Sequence, residues 1–109
     1  MPDPTISPDL LRGNTDTIIL RVLLEDDHYG YEIVKMIRDR SGGELELKEA
    51  TLYSSLRRLE TDGDIVWHWG DETQGGRRKY YQITDQGRAT YTTNHQNWEL
   101  TKRIVDILI

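Results

Sequence analysis

The apolar positions of this chain change period several times along its length, and each change marks a predicted element. Leu10, Leu11, Ile18, Ile19, Val22 and Leu23 recur at helical spacing. They predict one continuous first helix that starts near Ser7 or Pro8 and stops at Glu25-Asp26-Asp27. Ser7 can accept a backbone N–H as N-cap, Pro8 suits the first helical position, and Asp9 suits the positive end of the helix dipole. A second helix is predicted over 29–40, with Ile33, Val34, Met36 and Ile37 as its apolar face. Ser41-Gly42-Gly43 stops it, because glycine adopts the left-handed C-cap conformation cheaply.

Glu44-Leu45-Glu46-Leu47 alternates polar and apolar, which predicts a very short strand. A third helix is predicted over 48–62, buried along Leu52, Leu56 and Leu59 and ended by Asp62-Gly63-Asp64. Residues 65–69 predict a strand, with Ile65, Trp67 and Trp69 on one face and Val66 and His68 on the other. Residues 70–76 are polar and turn-rich, and 77–84 form the return strand. The last helix is capped by Thr84 or Asp85 and runs to the end. It carries one apolar stripe through Tyr91, Trp98, Val105 and Leu108, and a second through Leu100, Ile104 and Ile107. Two stripes exceed what one small core needs, so a partner surface is expected.

The order helix, helix, short strand, helix, hairpin is that of a winged helix-turn-helix. The predicted fold class is mainly α with a small antiparallel β wing. Residues 1–84 would be the DNA-binding domain and 85–109 the C-terminal dimerisation helix, in one compact unit. The major groove admits one α-helix and displays a full donor and acceptor code. Beside its apolar stripe the third helix offers Lys48, Glu49, Thr51, Ser54, Ser55, Arg57 and Arg58. The hairpin offers Arg77, Arg78 and Lys79 beside Gly75-Gly76, which lets the chain lie close to a phosphate backbone.

Charge complicates this picture. The 109 residues carry a net charge of −5, whereas affinity for DNA rests on neutralising phosphates. Its distribution restores the case. Residues 1–34 hold two basic groups against seven acidic ones, while 35–88 hold ten of each, with the basic ones clustered at 57–58 and 77–79. Cysteine is absent, so no disulfide or thiolate metal site is expected. His28, His68 and His95 are widely spaced and lack a carboxylate cluster at ligand spacing. With no nucleophile–base pattern and no phosphate loop, neither an enzyme nor a cofactor is expected. Residues 1–8 have no basic or apolar leader pattern, and no apolar run could span a bilayer. The expected location is the cytoplasm, with no membrane partner.

Three stretches together resemble the PadR family of transcriptional regulators. Glu49-Ala50-Thr51-Leu52-Tyr53, followed by Arg58-Leu59-Glu60 and Asp62-Gly63, looks like its recognition helix. Gly75-Gly76-Arg77-Arg78-Lys79-Tyr80-Tyr81 looks like its wing, and His28-Tyr29-Gly30-Tyr31-Glu32-Ile33 like the start of its second helix. The single terminal helix and Trp98 are similar to a compact branch that includes a multidrug-binding repressor. The resemblance implies a homodimeric repressor on a pseudo-palindromic operator of double-stranded DNA. It implies DNA contacts from Tyr29 or Tyr31, from Lys48, Thr51, Tyr53, Ser54 and Arg58, and from Gly75, Arg77, Arg78 and Lys79. It also implies a pore for a planar aromatic effector, formed by Trp98, His95, Thr101 and Lys102 with Leu10, Thr17 and Arg21. The regulated gene would serve efflux or detoxification.

One departure bears on the effector. A pore for cations wants a carboxylate near the stacked ring, and this chain has Lys102 and Arg21 there, with Glu99 and Asp16 the nearest acids in sequence. An anionic or neutral effector therefore stays open beside a cationic one. Two rival readings also stay open: a winged-helix protein-interaction adaptor, and a repressor without an effector in which Trp98 only packs.

Overall fold

A computed structural model describes residues 6–71 and 76–109. Eight elements follow in order: α1 (Pro8–Leu11), α2 (Thr15–Leu23), β1 (His28–Tyr29), α3 (Gly30–Arg40), α4 (Glu49–Thr61), β2 (Ile65–Trp69), β3 (Lys79–Ile83) and α5 (Asp85–Leu108). The three strands form one antiparallel sheet in the order β1-β3-β2. The fold is thus mostly helical with a small antiparallel sheet and a long C-terminal helix.

The core is where three helices and the sheet meet. α2 contributes Ile19, Leu20, Val22 and Leu23, α3 contributes Ile33 and Ile37, and α4 contributes Leu52, Leu56 and Leu59. Ile65, Tyr81 and Ile83 close it from the sheet. The α4 residues lie at i, i+4 and i+7, so one stripe of that helix is dry and its opposite face is free for other work.

Two sequence expectations are corrected. The first helix is not continuous: it breaks at Gly13, whose φ of 99° lies in the left-handed region, and the chain restarts at Thr15. The periodicity on either side hid the break because Leu11 and Ile18 remain compatible with one helical face across it. Residues 44–47 are not a strand. The third strand is His28–Tyr29, which takes the free edge of β3 by pairing His28 with Tyr81 and Tyr29 with Tyr80. Leu47 is nevertheless buried and Leu45 half-buried, so the alternation reports core insertion without a hydrogen-bonded ladder.

The α4–β2 corner sets the direction of α5. Asp64 is buried, and its Oδ1 accepts from Thr90 Oγ1 at 2.8 Å and Gln86 Nε2 at 3.1 Å. Its carbonyl accepts the Thr84 N–H at 3.0 Å. The Thr84 hydroxyl donates to Gly63 O at 2.7 Å and accepts the Gly87 N–H at 3.0 Å, capping α5 while tying it to the corner. Gly87 is buried directly against Asp64 and Ile83.

Candidate nucleic-acid interface and interhelical pocket

The face of α4 turned away from its leucines exposes Glu49, Ala50, Thr51, Tyr53, Ser54, Arg57 and Arg58. Lys48 stands exposed at the N-cap. Short polar side chains flanked by cations on one exposed helical face are the surface a major-groove reader needs. Tyr53 is half-exposed and its hydroxyl lies over the first residue of α3: a Cβ on Gly30 would sit 2.6 Å from it. The absence of a side chain at Gly30 therefore lets α3 and α4 approach, which the sequence read only as part of a motif.

The two predicted α4 arginines differ in the structure. Arg58 forms a two-pronged pair with Asp16 of α2, through Nε at 2.8 Å and Nη2 at 2.7 Å. Nη2 also donates to the buried Ser55 hydroxyl at 3.2 Å. The hydrogen bond and charge of Asp16 raise the Arg58 pKa, so its positive charge is still more firmly held. Arg57 is exposed and makes no ion pair among the described residues.

The hairpin beside α4 is fixed to the α3 entrance by stacked rings. Tyr29 meets Tyr80 edge-on with centroids 5.4 Å apart, and His68 stacks on Tyr80 at 5.8 Å. His68 Nε2 lies 2.9 Å from Asp27 Oδ2, and its Nδ1 lies 3.3 Å from the Trp69 carbonyl. Both neighbours are acceptors, so the ring satisfies both only when doubly protonated. Its pKa is accordingly raised, chiefly by the Asp27 hydrogen bond and then by the Trp69 carbonyl.

The wing cations lie along this aromatic surface. The Arg78 guanidinium sits 4.8 Å above the Tyr29 ring and Lys79 Nζ 4.3 Å above Trp67. Arg77 is exposed, as is Tyr31 at the start of α3. Trp67 and Trp69 pack edge-on against each other and remain partly exposed, as wing packing outside the core. Gly75 lies outside the described residues, while Gly76 has a φ of 87°.

A cavity of about 480 Å³ lies between α1, α2 and α5. It brings together five of the seven predicted effector residues: Leu10, Thr17, Arg21, His95 and Trp98. Tyr91 stacks on His95 at 5.8 Å within the same wall. Lys102 instead borders a shallow depression farther along α5, and Thr101 borders neither within one protomer. Neither nearby acid faces the cavity freely. Glu99 pairs with Lys102 at 3.2 Å and with His95 at 3.8 Å, and Asp16 is held by Arg58. Arg21 is braced at 2.9 Å by Glu25, which also binds Arg40 at 3.0 Å.

Beyond this cavity α5 leaves the domain. Trp98, Leu100, Ile104 and Val105 are about half-exposed, and Leu108 is 76% exposed. Among the described residues no group of three or more His, Asp or Glu side chains gathers as a metal site, and no helix is long and apolar enough to cross a membrane.

Comparison with known proteins places this geometry. A transcriptional regulator from Clostridium thermocellum superposes with a TM-score of 0.87 at 46% identity, covering 93% of this chain and 98% of that one. A PadR family transcription regulator from Clostridium difficile superposes with a TM-score of 0.76 at 36% identity, covering 87% and 97%. The Escherichia coli transcriptional regulator YqjI is 28% identical over 88 residues, which span 81% of this chain and 41% of that protein. Residues 19–93 match the sequence profile of the transcriptional regulator PadR-like family. That match covers the core helices, the exposed face of α4, the hairpin and the root of α5, and the chain belongs to the PadR-like family of transcriptional regulators.

Proposed function

We propose that this regulator is a homodimeric DNA-binding repressor, relieved by a planar aromatic molecule bound beside Trp98. The observation that carries the reading is the exposed polar face of α4 set next to a hairpin bearing Arg77, Arg78 and Lys79. Lys48, Thr51, Tyr53 and Ser54 meet base edges and nearby phosphates. Tyr29, Tyr31, Gly75 and the three wing cations grip the backbone. Net acidity does not oppose this, because although Asp16 pairs with Arg58, Arg57 on α4 and Arg77 on the wing remain exposed.

The exposed apolar turns of α5 support dimerisation, since a second copy would cover them. Two-fold pairing sets the α4 helices into successive major grooves, so the operator is a pseudo-palindrome. The cavity between α2 and α5 then continues across the interface. Thr101 and Lys102 of α5 join Trp98 and His95 there, as in the compact multidrug-binding branch of the family. An effector that favours one arrangement of the dimer lowers the population competent for DNA. The regulator works in the cytoplasm, and the gene it controls serves efflux or detoxification.

The test is fluorescence anisotropy of labelled duplex from upstream of this protein's own gene, with scrambled duplex as control, at fixed physiological salt. A preference of about a thousandfold or more is expected of a specific regulator. Equal affinity for both duplexes would refute sequence-specific repression of its own gene. For the effector, single-Trp variants that retain Trp98 should be quenched by planar aromatic compounds. Trp98→Ala should abolish that binding while the protein still sediments as a dimer. Unchanged ligand binding by Trp98→Ala would refute the pocket assignment.

A further inference from the structure

The family resemblance assigns the α4 arginine contact to Arg58, but the structure pairs Arg58 with Asp16 and leaves Arg57 exposed. We propose that Arg57 is the α4 arginine that meets DNA, whereas Arg58 is a positioning residue that docks α4 onto α2 through Asp16. The proposal rests on the DNA-binding reading above and assigns the work within that site.

Helix geometry supplies the first argument. At about 100° per residue, the outward pole of α4 opposes the Leu52, Ser55, Leu56 and Leu59 face. Arg57 then stands roughly 30° from that pole and Arg58 roughly 70° from it, on the flank toward α2. Thr61, Ser54 and Ala50 share the outward sector with Arg57. A helix lying in a groove presents its outward sector to the bases, so Arg57 is centrally placed; Arg58 lies on a flank, about as far from the pole as Tyr53, and its pairing is what sets it apart.

Hydrogen bonding supplies the second. Arg58 Nε and Nη2 are both donated to Asp16, and Nη2 also reaches Ser55. Fork-to-fork pairing fixes the guanidinium plane as well as its position. The Asp16 side chain is only 25% exposed, so this carboxylate is partly withdrawn from water and would be left short of partners if Arg58 turned to DNA. Arg57 has no such commitment among the described residues and can reach a phosphate or a guanine edge without breaking anything.

The experiment compares Arg57→Gln, Arg58→Gln, Asp16→Asn and the Asp16→Asn/Arg58→Gln double variant in the full-length protein. Each is titrated against the upstream duplex at several salt concentrations and against a mixed-sequence duplex at low salt. Thermal melts are recorded without DNA. Arg57→Gln should weaken binding about tenfold or more with an unchanged melting temperature, and should flatten the salt dependence by about one unit if the contact is to a phosphate. Arg58→Gln and Asp16→Asn should each lower the melting temperature. The double variant should melt no lower than the worse single one, because both remove the same pair.

Asp16→Asn is decisive for Arg58, since it frees the guanidinium and removes a negative charge. If Arg58 contacted DNA, this variant would bind as well as the wild type or better, while Arg58→Gln lost affinity at an unchanged melting temperature. That outcome, or an unchanged affinity in Arg57→Gln, overturns the proposal while leaving the repressor reading intact. A wild-type protein that binds no duplex even at low salt refutes the DNA-binding reading and takes the Arg57 assignment with it. The additivity of the melts then still decides whether Arg58 and Asp16 act as one unit.

Discussion

Replacing Gly87 with alanine tests the packing of the α4–β2 corner, because local and tertiary effects oppose each other in sign. Gly87 is in the first turn of α5, where intrinsic helix propensity alone favours alanine by about 1 kcal/mol. The structure argues the reverse. A Cβ there would fall on the carbonyl oxygen of Asp64, inside any tolerable contact, and 2.7 Å from Ile83 Cγ1. Neither obstacle can yield easily. The Asp64 carbonyl is held by the Thr84 N–H, its carboxylate by Gln86 and Thr90, and Ile83 belongs to the core. Relief requires α5 to move away from the corner, which strains the Thr84 cap at Gly87 N. Overpacking that forces backbone shifts typically costs about 1–3 kcal/mol, and two unyielding obstacles place this site at the upper end, about 3 kcal/mol. After the propensity gain, a net loss of about 2 kcal/mol remains, or roughly 8 °C in melting temperature for a domain of this size. The assay is denaturant and thermal unfolding followed by circular dichroism, at matched protomer concentration because association would itself shift the transition. An alanine variant as stable as the wild type, or more so, would refute the close approach of α5 to Asp64.

The His68–Asp27 contact carries a pH dependence with a definite sign. The folded-state pKa of His68 is raised, so the stabilisation is full below the ordinary histidine value of about 6.5 and is lost as pH rises through the raised one. The melting difference between wild type and His68→Gln should therefore be larger near about pH 6 than near about pH 8.5. An equal difference at both would remove His68 as the titrating group. Gly30→Ala should push the Tyr53 hydroxyl off the start of α3, since the far end of that side chain is what obstructs the new methyl. DNA affinity should fall severalfold in anisotropy titrations while the melting temperature changes by less than a Leu56→Ala core cavity, about 2–5 kcal/mol, would cause. Unchanged affinity would remove Tyr53 from the DNA contacts.

The parts of the fold that were legible in sequence are those governed by local chemistry. The bounds of β2 follow from alternation between two turn signals. The Ser7 and Thr84 caps follow from side chains that can satisfy free backbone donors. The exposed stripes of α5 follow from an excess of apolar residues over the available core. What remained hidden depends on partners distant in sequence. Two residues are too short for any periodicity, so His28 and Tyr29 become a strand only because β3 offers them an edge. The Leu45 and Leu47 alternation mimics a strand because the core accepts leucine from irregular chain as readily as from a sheet. Gly13 breaks a helix whose apolar spacing continues across it. For the candidate site, five of the seven residues that the resemblance groups around an effector line one cavity, and the α4 residues grouped for DNA share an exposed face. The resemblance named Arg58 as the α4 arginine on DNA and could not foresee the Arg58–Asp16 pair, because that carboxylate lies 42 positions away.

The anchoring of α5 at one end has a mechanical consequence. Its 24 residues are pinned by the Thr84 cap and by Thr90 on Asp64, and from His95 onward every side chain is exposed. Beyond Trp98, the last α5 residue in the cavity wall, about 11 residues or roughly 16 Å of rigid rod extend, so a pivot of about 10° sweeps the tip through roughly 3 Å. Worked backwards, the rod is a lever. Whatever grips the outer turns travels about 3 Å for every 10° or so by which the corner that carries Asp64, β2 and the end of α4 tilts. Movement at the far end is thereby converted into angular adjustment at the root.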